Sequence, residues 1–294
     1  MPTRRERLAI FILVLFSIFG ALIWHSYKLE QKAQEKKEAE LQKYLTDVEK
    51  GLGDLDIEAK SVSVYNFTLN RKIFAKNDTA ILPLASITKL VSVPLSIKID
   101  NSPVRISQNA IRTPQDDKLI PGDIWEKKDL GKLALVVSSN DATMALSENI
   151  PFFVQLMNKR AQYLRAKNTT FYNPTGLDID EQHAGALGTA EDVNWLAYFA
   201  LHMEPEIIKA TTYPRLLVDS KGGHTYDVSN TNTVIRELPP LLLSKTGYTN
   251  IAGGNLVVMF KDGNYNEIAV TILGSSYNGR FTDMVKIVNF LYNY

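Results

Sequence analysis

The sequence predicts an α/β domain of the α+β type: an antiparallel sheet flanked by helices, with an all-helical subdomain beside it and one transmembrane helix ahead of it. Three observations carry this expectation. Apolar, β-branched runs at 57–67, 254–260 and 268–273 lie at the two ends of the domain. Helix-forming stretches at 132–148, 152–166 and 189–201 fill the middle. An apolar run at 8–24 follows Arg4, Arg5 and Arg7. Strands at both ends with helices between them bury their faces most simply as one sheet completed by distant segments, with the helices packed against it.

In chain order, the first element is the run at 8–24, broken only by Ser17 and Gly20. As a helix it is about 25 Å long, near the lower limit for crossing a bilayer. A cleaved signal peptide is the alternative. The run is longer than the usual apolar core of such a peptide, and Ile23 and Trp24 stand where small residues would be needed for cleavage. An uncleaved anchor is therefore expected, with the arginines on the cytoplasmic side and everything after Trp24 outside the membrane or in the periplasm. Residues 27–50 are rich in Glu, Lys, Gln and Ala, with apolar residues gathered at Leu41, Tyr44, Leu45 and Val48. They read as a solvated helical stalk whose last turns dock on the domain and which Gly51 and Gly53 end. Residues 29–40 lack the apolar heptads of a coiled-coil dimer. The expected division is thus a cytoplasmic tip and anchor at 1–26, a stalk at 27–50 and a globular domain at 51–294.

The domain opens with a hairpin, in which Ile57, Val62, Val64 and Tyr65 form one strand and residues 72–75 return after a turn at Asn70-Arg71. A helix is expected to start at Ser86, and Pro94 to kink or stop it, because proline lacks the N–H that should bond back to Leu90. After Lys245 the texture returns to strand, and an amphipathic helix at 280–291 closes the domain.

Composition narrows the function. Lys plus Arg number 33 against 32 Asp plus Glu, so the net charge of +1 gives no footprint for nucleic acid. The absence of cysteine excludes thiol catalysis, disulfides and thiolate metal sites, and leaves the compartment open. His25, His183, His202 and His224 have no metal-ligand spacing, so neither a metal nor a cofactor is expected. The glycines at 185–188 and 222–223 fit no phosphate-binding fingerprint and read as loop residues. Glu204-Pro205-Glu206 reads as a connection between helices.

Three short words stand in order: Ser86-Ile87-Thr88-Lys89, Ser138-Ser139-Asn140 and Lys245-Thr246-Gly247. A serine and a lysine three apart on a helix share a face, so Lys89 can reach the Ser86 hydroxyl as its base. Burial and a second cation, Lys245, would lower an amine toward neutrality. Each of the first two words also arises by chance; Ser107-Gln108-Asn109 repeats the second pattern. Their order and their spacing along the chain give them weight.

With these words in view, the chain resembles the serine D-alanyl-D-alanine carboxypeptidases, the low-molecular-weight penicillin-binding proteins of the β-lactamase/transpeptidase-like superfamily. The likeness extends through Pro83-Leu84-Ala85, Pro121-Gly122-Asp123, Thr170-Phe171-Tyr172-Asn173-Pro174, Gly176-Leu177-Asp178, Thr231-Asn232 and Gly279-Arg280-Phe281. It implies a β-lactamase/transpeptidase-like fold, a peptidoglycan stem peptide as substrate and β-lactams as covalent inhibitors. It also implies that Ser86 attacks the carbonyl between two D-alanines while Lys89 takes its proton. Ser138 would relay a proton to the leaving amine and Asn140 would hold the substrate amide. Lys245, Thr246 and Gly247 would face the substrate, Thr246 binding its carboxylate, and the N–H groups of Ser86 and Tyr248 would form the oxyanion hole. Arg280 is either a second carboxylate contact or a structural cation.

The sequence departs from the family around Gly188-Thr189-Ala190-Glu191-Asp192, with His183 displaced, and at Leu243-Ser244, where the family often has glycines. A D,D-endopeptidase acting on cross-links, a β-lactamase, and a wall-binding or antibiotic-sensing domain stay open beside the carboxypeptidase reading.

Overall fold

The protein is described by a computed structural model over residues 3–111 and 119–294. Met1 and Pro2, the start of the expected cytoplasmic tip, lie outside the described residues. The chain forms two compact units, Met1–Lys50 and Gly51–Tyr294.

Helix α1 runs without interruption over Arg4–Gly53. It contains a window of mean hydropathy 2.5, long and apolar enough to cross a membrane, with Leu13, Phe16, Phe19 and Leu22 exposed. The expected span and stalk are therefore one helix. The segment after Trp24 is built of strong helix formers that propagate the turn already begun.

The second unit opens with β1 (Ser61–Asn66) and β2 (Arg71–Lys76), joined through Asn70 at a left-handed φ of 52°. Asparagine tolerates that conformation better than most residues. β3 (Leu82–Pro83) leads into a 3₁₀ turn, Ala85–Thr88, and then α2 (Lys89–Ile99). The short strands β4 (Val104–Arg105) and β5 (Ile124–Trp125) pair with each other. The helices α3 (Lys127–Val136), α4 (Asn140–Ser147) and α5 (Phe153–Tyr163) follow. β6 (Thr170–Phe171) and β7 (Ala186–Gly188) join β3 in a small sheet. Next come α6 (Ala190–Met203), α7 (Pro205–Ala210) and a hairpin of β8 (Arg215–Asp219) and β9 (Thr225–Ser229). β10 (Leu241–Thr249), β11 (Gly253–Lys261), β12 (Glu267–Ser275) and α8 (Gly279–Asn293) complete the chain.

The main sheet has the order β10-β11-β12-β1-β2, antiparallel throughout, so the first and last strands of the unit meet where β1 pairs with β12. Every residue of β1 is buried, which requires cover on both faces. α6 packs on β1, β11 and β12, and α8 on β11 and β12. Polar ties fix both helices: Asn194 of α6 accepts from Thr271 Oγ1 at 2.7 Å and donates to the Ser63 carbonyl at 3.3 Å. Asp283 of α8 accepts from the Ala59 N–H at 2.9 Å. One apolar core, including Leu84, Leu90, Leu133, Leu196 and Val257, joins helices and sheet.

The expected sheet, with its helices and an apolar N-terminal helix, is present, and four local expectations need correction. The stretch 132–148 is two helices, broken at 137–139. The α-helix near Ser86 begins at Lys89, with Ser86 itself in the 3₁₀ turn. Pro94 does not stop α2, which continues to Ile99; every side chain from Lys89 to Ile97 is buried, and that packing outweighs one lost backbone bond. Lys245-Thr246-Gly247 lies within β10 rather than before a strand.

Candidate active site

β10 is an edge strand of the main sheet, so one of its sides is left for the helical elements, and the 3₁₀ turn of Ser86 packs against it. The approach is close at Gly247: a Cβ there would stand 2.9 Å from the Leu84 carbonyl oxygen and 3.3 Å from the Ala85 Cβ. Ala85, immediately before Ser86, has a φ of 48°, a left-handed conformation that an alanine adopts only where its surroundings enforce it.

At the start of α2, Lys89 is fully buried and its Nζ stands 2.8 Å from Ser86 Oγ. The same Nζ donates to Asn140 Oδ1 at 2.7 Å and to the Thr175 carbonyl at 3.0 Å. From the strand side, Lys245 Nζ stands 2.9 Å from Ser138 Oγ and donates to the Thr246 carbonyl at 2.9 Å. Lys245 is buried, and burial pushes its ammonium well below the ordinary lysine value; the charges of Lys89 and Arg280 push the same way. Ser86, Lys89 and Asn140 thus form one hydrogen-bonded group and Ser138 and Lys245 a second, contributed by three separate stretches of chain, with the charge of Lys89 felt at Lys245.

The break between α3 and α4 makes this possible. Ser139 caps α4, its Oγ accepting from the Ala142 N–H at 2.9 Å. Ser138, at a φ of 64°, turns out of the helical path and delivers its hydroxyl to Lys245. Of two adjacent serines, one therefore caps the start of a helix and the other meets Lys245.

Thr246 Oγ1 lies 2.7 Å from Thr231 Oγ1, which also donates to the Val136 carbonyl at 3.3 Å. Tyr248 is in register with Gly254, adjacent to the Gly247 contact just described. Arg280 is buried behind β10. Its Nη1 donates to the Gly247 carbonyl at 2.7 Å, and its guanidinium lies 4.6 Å from the rings of Tyr277 and Phe281. Burial lowers its pKa from the usual arginine value.

Sequence reasoning assigned nothing to Asn173, Thr175, Gly176 or Thr231. Asn173, Gly176 and Thr231 belong to strings that carry the resemblance, and Thr175 lies between two of them. Gly185, read as an ordinary loop glycine, is a packing requirement: a Cβ there would meet the Leu177 carbonyl at 2.0 Å and Asn173 Nδ2 at 2.5 Å. His183 pairs with Asp180 at 2.7 Å on the exposed side of the same loop. Glu206 is held by Lys128 and Lys132 of α3, which fits its reading as a helix connection. Among the described residues, no group of three or more His, Cys, Asp or Glu side chains is arranged to hold a metal ion.

Residues 47–276 match the family model described as D-alanyl-D-alanine carboxypeptidase. The chain is 31% identical over 258 residues to D-alanyl-D-alanine carboxypeptidase DacF of Bacillus subtilis (strain 168), covering 83% of this chain and 64% of that relative's length. It is 30% identical over 214 residues to a D-alanyl-D-alanine endopeptidase of Pseudomonas aeruginosa, covering 69% of this chain and 67% of that one. Among solved structures, a D-alanyl-D-alanine carboxypeptidase from Mycobacterium tuberculosis H37Rv superposes with a TM-score of 0.72 at 21% identity, covering 82% of this chain and 93% of that one.

Proposed function

The chain belongs to the D-alanyl-D-alanine carboxypeptidase family, and from that membership we propose that it is a membrane-anchored serine peptidase removing the terminal D-alanine from peptidoglycan stem peptides through an ester on Ser86. The observation that carries the reading is the pair of contacts at 2.8 Å between Ser86 Oγ and Lys89 Nζ and at 2.9 Å between Ser138 Oγ and Lys245 Nζ, with the two lysines close enough to repel.

In this reading Ser86 gives its proton to Lys89 and its oxygen attacks the carbonyl carbon of the penultimate D-alanine. The N–H groups of Ser86 and Tyr248 meet the negative charge that develops on the carbonyl oxygen. The C–N bond breaks, and the leaving amine takes a proton through Ser138. Water then hydrolyses the ester and frees Ser86. Asn140 orients the substrate amide, Thr246 and Gly247 line the path of the terminal residue, and Lys245 and Arg280 hold positive potential where its carboxylate lies. Penicillins present a strained amide to the same hydroxyl and leave a stable ester. The apolar stretch of α1 supports attachment to a membrane, with the catalytic domain outside the cytoplasm.

One experiment tests these parts together. Membranes from cells producing the full chain are washed with alkaline carbonate, treated with a labelled penicillin and examined by intact mass. We expect one adduct on the wild type, retained in the pellet, and none on Ser86→Ala, whose release of D-alanine from a pentapeptide falls about 10⁴-fold or more. An unlabelled wild-type chain refutes the acyl-serine reading, and a chain recovered in the wash rather than in the pellet refutes the anchor. The endopeptidase relative favours a second reading, cleavage of cross-links. Turnover of a cross-linked dimer with the pentapeptide left intact would put that reading first.

A further inference from the structure

We infer that Asn173 is a positioning residue for the acylation step: it builds the turn that aims the Thr175 carbonyl at Lys89 and so points the amine's lone pair at Ser86. The inference rests on the acyl-serine reading above and extends it to a residue outside the three words.

Residues 173–177 carry little regular structure, so something must hold their peptide groups in place. Asn173 does so with one side chain. Its Oδ1 accepts from the Gly176 N–H at 2.7 Å, the Thr175 hydroxyl at 3.0 Å and the Thr175 N–H at 3.1 Å, while its Nδ2 donates to the Leu177 carbonyl at 2.8 Å. The turn is packed from both sides. Gly176, at a φ of 80°, lies where a Cβ would come within 1.9 Å of the Ala85 carbonyl oxygen, and Gly185 lies against Asn173 Nδ2 and the Leu177 carbonyl. The Asn173 side chain thus fixes a turn wedged beside the residue that precedes Ser86, and the outward product of that turn is the Thr175 carbonyl, 3.0 Å from Lys89 Nζ.

The chemistry follows from counting donors. A lysine amine able to accept a proton has two N–H groups and one lone pair. The Asn140 Oδ1 and Thr175 carbonyl positions offer acceptors for the two N–H groups. When both are engaged, the lone pair can turn to the Ser86 hydroxyl, 2.8 Å away. The O–H bond of Ser86 then breaks as an N–H bond forms on Lys89, and the oxygen attacks. If the Thr175 carbonyl swings away, the amine rotates freely and spends less time in the productive orientation, although substrate contacts on β10 are unchanged.

The test uses the full chain and a labelled penicillin, with sites counted by the stoichiometry of label. Asn173→Ala is expected to lower the acylation rate per labelled site by about 10²-fold, the scale of a small misplacement of a catalytic group, while the dissociation constant of the pre-acylation complex stays within about threefold. Asn173→Asp keeps the acceptor oxygen for the Thr175 and Gly176 donors but sets a carboxylate oxygen against the Leu177 carbonyl, and is expected to recover part of that loss. An unchanged rate per labelled site in Asn173→Ala, with only fewer active sites or a lower melting temperature, overturns the inference and leaves the acyl-serine reading standing. If Asn173→Ala yields no folded protein, Asn173→Ser takes its place under the same criterion. A wild-type chain that takes no label overturns both.

Discussion

Ser138 holds a conformation that its own chemistry disfavours. A non-glycine residue at a φ of 64° carries roughly 1–2 kcal/mol of strain, and the surrounding structure supplies the compensation: α4 is capped by the next residue and Lys245 meets the displaced hydroxyl. This separates function from stability at a single position. Ser138→Gly removes both the strain and the hydroxyl, whereas Ser138→Ala removes only the hydroxyl. Both are expected to slow acylation by about 10²-fold or more, the ordinary contribution of a proton-transfer group. The glycine variant should nevertheless melt higher than the alanine variant, by about 1 kcal/mol in stability. Thermal melts and labelling rates on the two variants check this, and equal melting temperatures would show that the position is unstrained.

At the scale of elements, the site depends on how closely the turn at 173–177 approaches the 3₁₀ turn of Ser86. Gly176 meets two demands at once, a left-handed backbone and the absence of a Cβ where the Ala85 oxygen lies. Gly176→Ala combines backbone strain with overpacking, together about 3 kcal/mol or more. In a unit of this size that corresponds to roughly 10 °C in melting temperature. We expect that drop together with slower labelling, because the displaced element carries Ser86. A variant that melts within a degree of the wild type would mean that the two turns separate without cost. The tighter turn that precedes α2 is packed on both sides, with Ala85 and Thr88 against Gly176 and with Leu84, Ala85 and Ile87 against Gly247.

At the scale of the whole molecule, the clearest consequence is the pH dependence that comes from burying an ammonium. Burial, then Lys89, then Arg280 depress the pKa of Lys245 in the folded protein far below its unfolded value. Below the depressed value, Lys245 is protonated in both states and its burial costs the most stability. Between that value and about 10.4, the unfolded chain binds more protons than the folded one, so stability rises with pH. Lys245→Met removes this group. The variant should therefore exceed the wild type in stability by an amount that shrinks as pH rises from about 7 to about 10. Urea unfolding of both proteins at several pH values measures the difference, and a gap that stays constant or widens would contradict the assignment.

Much of this was legible in residues read one after another. The apolar run of α1, the apolar positions of β1, the β-branched stretches of β11 and β12 and the periodicity of α8 are local patterns, because apolar runs and stripes must leave water whatever their partners are. The spacing from Ser86 to Lys89 likewise fixes a shared face, and the three words in order named the side chains that meet. The break at Ser138, the strand through Lys245, the continuation of α2 past Pro94 and the roles of Thr175 and Asn173 were not legible. Each depends on what lies opposite in space: a cap and a lysine for Ser138, the ladder of β11 for Lys245, a closed apolar sheath for Pro94, and a buried amine for the Thr175 carbonyl. A chain specifies its own periodicity through covalent spacing, whereas the direction of a backbone carbonyl and the protonation of a buried amine are set by neighbours that only folding brings within 3 Å.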